Sequence, residues 1–263
     1  MSLGCRFVIF AGLAAAAAAA PLRICADPDN LPYSNRQQQG LENRLADFVG
    51  AQLHRPVRYV WISQRGKYFQ ALQANQCDAV MEAPANFAGA RTTRPYYRSS
   101  YVFLTRADRG LDIRSFDDPR LRTLKIGLQI MGADDAAAPP ARALATRGIL
   151  QNVTWYRAYQ TYITANRPQE LVEAVARGDV DVAIAWGPLA GYFAKTCGVP
   201  LAIHAVSPQS EHSVPFAFDI SMAVASGNTQ LAGELDNLLR AHAGEVRRIV
   251  AQYGIPTVSA SHR

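Results

Sequence analysis

Two stretches of the chain repeat one pattern, and that pattern restricts the fold more than any other feature. "ALQANQCDAVMEAP" (71–84) and "AVARGDVDVAIAWGP" (174–188) each pass through a helix end, a turn, an aspartate, a short apolar strand and a polar-lipped loop closed by proline, with Asp78 and Asp181 at equivalent places. Each stretch completes a longer series. In the first, "LRICAD" (22–27), "VRYVWI" (57–62) and "CDAVMEAP" (77–84) read as strands. They are separated by a helix over 41–53, with Leu41, Leu45, Phe48, Val49 and Leu53 at helical spacing, and by a second helix over 65–76. In the second series, "TLKIGLQI" (123–130), "NVTWYRAY" (152–159) and "VDVAIAWGP" (180–188) are strands. The helices between them cover 139–149, opened by prolines suited to a first turn, and 167–179. Strands alternating with helices build a mostly parallel sheet covered by helices. Such units converge on similar turns, so the likeness alone does not require common origin; two copies flanking a linker favour two lobes.

The linker is "TTRPYYRSSYVFLT" (92–105), which suits either an ordinary core strand or a crossover between lobes. A companion extended segment follows at "VPFAFDISMAVASG" (214–227), and two amphipathic helices, 229–244 and 245–256, close the chain. The expected fold class is α/β, with two α/β lobes joined by two crossover segments around a hinged cleft. Residues 21–104 with 216–263 are expected to form lobe one, and residues 105–215 lobe two. Pro95 fixes one dihedral and withdraws a donor. It suits the linker to a sheet edge or hinge rather than a central strand, with Tyr96 and Tyr97 turned to the cleft mouth or the partner lobe.

The first 20 residues carry one basic residue, Arg6, then an apolar run from Phe7 to Ala20, too short to span a bilayer and ending in small residues. This reads as a cleaved secretory signal, with an uncleaved anchor as the alternative. The chain beyond it has no membrane span and is expected in the periplasm. The 263 residues carry a formal charge of +6, and 24 of the 27 basic residues are arginine, scattered rather than clustered in one run. That argues against nucleic-acid binding. Beyond the leader stand three cysteines, Cys25, Cys77 and Cys197, none with a neighbour at metal-ligand spacing. In an oxidising compartment they read as one disulfide and one free thiol. There is no nucleophile elbow and no Gly-rich phosphate loop, and the five histidines (His54, His204, His212, His242 and His262) are dispersed. No catalytic residue, metal or cofactor is expected.

The assembled pattern resembles the bilobal periplasmic solute-binding proteins of ABC transporters (type II fold). "CADPDNLPYSN", "GLENRLADF", "CDAVMEAP", "TTRPYYRSSYVF", "GADDAAAPPARALATRGI" and "VDVAIAWGPLAGYFA" resemble one branch of them, the MoxJ/XoxJ-type proteins. The resemblance implies a periplasmic accessory of a pyrroloquinoline-quinone methanol or alcohol dehydrogenase, the dehydrogenase itself carrying the quinone and its calcium or lanthanide. The alternative is a transporter receptor for a small non-amino-acid solute, cofactor or metal complex. In the expected sheet the first strand lies beside the strand that follows the second helix, so Cys25 and Cys77 are expected to pair and Cys197 to stay free.

Ligands of open α/β sheets bind beyond the carboxyl ends of strands. That places Asp27, Asn30, Tyr33, Trp61, Gln64, Glu82 and Trp186 among the candidate cleft residues, with Arg94 and Tyr96 from the crossover. Asp134 and Asp135 precede a helix where the superfamily often holds an anion. Two aspartates there would repel an anion and favour a cation, a neutral ligand or a basic partner residue; capping and solvation are the alternative. Amino-acid binders of this superfamily hold the ligand amine with an aspartate at the end of the second lobe's buried strand. Here Trp186 and Gly187 stand at that place, and neither Arg91 nor Arg94 matches the arginine that holds the ligand carboxylate. Ordinary amino acids are thereby disfavoured.

Overall fold

In this computed structural model residues 19–63, 66–130, 138–157 and 167–260 are described. The first half contains β1 (Leu22–Ala26), the short β2 (Asp29–Asn30) and β3 (Ser34–Asn35), α1 (Leu41–Gln52), β4 (Val57–Trp61), α2 (Gly66–Gln73), β5 (Ala79–Pro84), the short β6 (Arg91–Thr92) and β7 (Tyr97–Arg106). The second contains β8 (Ile126–Ile130), α3 (Pro139–Thr146), β9 (Val153–Arg157), α4 (Glu170–Arg177), β10 (Val182–Trp186), α5 (Gly187–Thr196) and β11 (Leu201–Ala205). The hairpin strands β12 (Ser210–Glu211) and β13 (Val214–Pro215), then β14 (Ala217–Val224), α6 (Thr229–Ala241) and α7 (Ala243–Gln252), complete the chain.

The strand order β4-β1-β5-β14-β7-β10-β8-β9 is close to a palindrome in topology. In each half the first strand of a unit lies between its second and third, all parallel, and an antiparallel crossover flanks the third. Parallel strands covered on both faces need continuous apolar runs, and β8 and β10 are buried at every position. Two crossovers, β7 and β14, pair with each other from Tyr97↔Ile220 to Ser100↔Ala217. Beyond Ser100, β7 enters the second sheet and pairs with β10 on one side and β11 on the other. The linker is therefore a crossover, as its position between the units suggests. It is also a central strand, which corrects the edge-or-hinge expectation. Pro95 precedes β7 by two residues, so its missing donor falls outside the ladder.

The repeated aspartates serve one purpose. Asp78 donates its backbone N–H to the Arg23 carbonyl at 2.7 Å and accepts the Arg23 N–H on its carboxylate at 2.9 Å. Asp181 makes the same exchange with Lys125, at 2.8 Å in each direction. Each carboxylate also takes a guanidinium, Arg23 at 2.7 Å and Arg109 at 2.8 Å. The turn after each second helix is thus latched to the start of the adjacent parallel strand.

Cys25 and Cys77 form a disulfide with Cα atoms 5.6 Å apart, buried under Tyr68 and Leu72 of α2, and Cys197 is free. The start of α5 and the strand β11 differ from expectation. Gly187 and Pro188, read as a loop, open α5 directly from the end of β10, with the proline in the first turn, where its missing donor costs nothing. The strand β11 is not among the expected elements; all five of its residues are half-buried, so it lacks the in–out alternation that marks a strand.

Candidate functional site

Where the two crossovers meet the carboxyl ends of β5 and β10, a cleft of about 500 Å³ opens. Its walls come from six directions. Tyr68 and Phe69 face it from α2, Glu82 to Pro84 from the end of β5, Phe87 from the following loop, and Tyr101 from β7; Trp186 ends β10, and Phe218 and Ile220 alternate along β14. Trp186 packs edge-on against Tyr101 at 5.5 Å and Phe218 at 5.7 Å, so one ring from each crossover holds it. The Trp186 backbone N–H donates to Gln129 Oε1 at 2.7 Å, which ties the end of β10 to buried β8. Across the cleft Phe69 and Phe87 stack at 4.0 Å.

Glu82 is the charged residue of this lining, and it is 7% exposed. Burial, and then the charge of Glu82, push the Tyr97 phenol well above its ordinary value. Burial alone raises Tyr101 to about 12. Both phenols are protonated at neutral pH. The lining offers mainly aromatic and aliphatic surface, within the size range of small-molecule pockets. Among the described residues no cluster of three or more His, Cys, Asp or Glu side chains could hold a metal.

Of the candidate residues, the structure brings Glu82 and Trp186 together in this cleft. Asp27 and Asn30 are buried at the end of β1 and in the β2–β3 hairpin, where Asp27 Oδ1 accepts the Asp29 N–H at 2.9 Å and the Ser34 hydroxyl donates to the Asp27 carbonyl. Tyr33 belongs to the core, and Trp61 stacks on Tyr59 at 4.7 Å with the Arg36 guanidinium 5.8 Å from its ring centre. Arg94 and Tyr96 line a different depression, beside α6 and α7, and Tyr97 is buried beside Glu82 rather than at the cleft mouth. Gln64, Asp134 and Asp135 lie outside the described residues. Sequence reasoning missed Tyr68, Phe69, Phe87, Phe218 and Ile220. The period-two alternation of Phe218 and Ile220 was a usable signal; Phe87, in an irregular loop, had none.

The sequence profile described as bacterial extracellular solute-binding protein matches residues 59–255. The chain belongs to this family. Protein MoxJ of Methylorubrum extorquens is 31% identical to the solute-binding protein over 252 residues, spanning 93% of this chain and 84% of the relative. The crystal structure of MxaJ from Methlophaga aminisulfidivorans MPT superimposes with a TM-score of 0.80 at 27% identity, covering 90% of this chain and all (100%) of that one. The periplasmic binding protein XoxJ from Methylobacterium extorquens AM1 gives 0.74 at 30% identity, covering 90% and 99%. These relatives place the solute-binding protein in the MoxJ/XoxJ-type branch and bear out the two-lobed type II fold. The structure adds a steric reason for the missing amine-binding carboxylate: a Cβ on Gly187 would lie 2.6 Å from the Ser100 carbonyl oxygen and 2.7 Å from Ser99 Oγ.

Proposed function

We propose that the solute-binding protein is a periplasmic, non-catalytic accessory of a pyrroloquinoline-quinone methanol or alcohol dehydrogenase, supporting its assembly or activation. The observation that carries this reading is the aromatic cleft over the paired crossovers. A receptor for polar solutes needs convergent donors and acceptors, whereas an aromatic, hinged wall suits apolar side chains of a protein segment. The MoxJ, MxaJ and XoxJ relatives point to the same partner through the family resemblance. The cleft would engage an apolar segment of the dehydrogenase that is exposed before assembly is complete.

The test is binding of the mature protein to purified dehydrogenase, with and without its quinone and metal, followed by recovery of alcohol oxidation. Preferential binding to the unloaded enzyme and faster recovery support the reading. Failure to bind either form, with recovery unchanged, rejects it. The cleft's volume also suits a small apolar solute, which favours a transporter receptor as the second reading. Saturable stabilisation by one such compound, with no dehydrogenase binding, would establish that alternative.

A further inference from the structure

A second concavity, of about 360 Å³, lies between the segment preceding β7 and the corner where α6 turns into α7. It shares no lining residue with the aromatic cleft. Its floor is apolar: Leu239 and Val246 are buried beneath it, and Pro95 and Tyr96 form one wall. The Tyr96 hydroxyl donates to the Met81 carbonyl at 2.8 Å, which fixes that ring. Around the rim stand three exposed arginines, Arg94, Arg240 and Arg247.

None of the three closes an ion pair among the described residues, whereas Arg23, Arg98, Arg106 and Arg147 elsewhere do. The neighbouring carboxylates are engaged: Asp236 accepts the Arg94 backbone N–H at 2.6 Å, and Glu245 pairs with Arg248. Three guanidiniums thus face one groove with no carboxylate partner of their own. Arginine presents a planar fork matched to carboxylates. An anionic bilayer offers a broad charged plane, which suits a polybasic face better than a concavity with an apolar floor.

We propose that this groove is a second binding site, which takes an acidic segment of a protein partner. Aspartate or glutamate side chains pair with Arg94, Arg240 and Arg247, while an apolar neighbour seats over Leu239 and Val246. The site stands independently of the aromatic cleft and of the dehydrogenase reading.

Short fluorescent peptides alternating glutamate with leucine, glutamate with serine, and lysine with leucine test the site by anisotropy, beside flotation with phosphatidylserine vesicles. The Glu–Leu peptide is expected to bind most tightly and to weaken with salt. Arg240→Glu with Arg247→Glu is expected to reduce its affinity by about tenfold or more with an unchanged melting temperature. Arg247→Gln alone, which carries less risk to folding, is expected to show a smaller loss. The proposal is overturned if no peptide binds, if the variants bind as the parent does, if Glu–Ser or Lys–Leu matches Glu–Leu, or if vesicles bind while peptides do not.

Discussion

Gly187 shows how one missing side chain shapes the site. It follows Trp186 at the end of β10, and the nearest atom to an added Cβ is backbone, the Ser100 carbonyl oxygen at 2.6 Å, so relief requires moving β7 itself. Gly187→Ala is expected to cost about 1–3 kcal/mol by overpacking, read as a lower urea midpoint at constant slope. An unchanged midpoint would show that the crossover yields easily. The phenols set a second expectation. Tyr59 and Tyr101 are pushed up to about 12, and Tyr97 well above the ordinary 10, in each case chiefly by burial. The folded state therefore holds these protons more tightly than the unfolded chain. Stability from Tyr59 and Tyr101 is complete below about pH 10 and is lost as pH rises through about 12. Tyr101→Phe should flatten the alkaline fall in melting temperature; an unaltered fall would exclude Tyr101 as a contributor. At this scale the sequence was partly legible. Glu82 and Trp186 could be placed because strand ends are readable from apolar runs, whereas Phe69 and Phe87 meet only through the packing of α2 on the loop after β5.

The repeat of helix, turn, aspartate and strand was the most legible element, and the structure gives it a cause. A parallel strand cannot be joined to its neighbour by a tight hairpin, so its register needs another anchor. Asp78 and Asp181 supply one by accepting the first N–H of the adjacent strand's approach and a guanidinium together. Asp78→Ala and Asp181→Ala are each expected to cost about 1.5–3 kcal/mol, the range for hydrogen bonds involving a charged group. The two latches lie in different sheets, so the double variant should lose nearly the sum. Urea unfolding of the singles and the double tests both points; losses within error of zero would reduce the repeat to a likeness of turns. Other elements were less legible for physical reasons. Gly187-Pro188 carries loop chemistry and helix-start chemistry at once, and only the burial of Leu189 and Ala190 resolves it as α5. Pro95 was read as acting on the whole linker, but its constraint ends before the ladder begins.

At the scale of the whole molecule, the two lobes meet through the β7–β14 ladder, and the cleft lies over it. Movement of one lobe against the other must pass through these crossovers, and the Trp186, Tyr101 and Phe218 rings pack at the same junction. Closing the lobes around an apolar segment would remove more aromatic surface from water, a gain of roughly 25 cal/mol per Å² before the costs of association. The Phe69–Phe87 stack is the place to separate binding from folding, since both rings are half-buried and neither is a fully buried core residue. Phe69→Ser with Phe87→Ser is therefore expected to lower the melting temperature modestly. If the cleft engages the dehydrogenase, the same change should weaken capture by about tenfold or more, as loss of a central aromatic anchor does at an interface. Loss of capture in the aromatic variant while the folded fraction is intact would assign recognition to the cleft. Undiminished capture would move the dehydrogenase contact elsewhere on the molecule and leave the cleft to a small apolar solute.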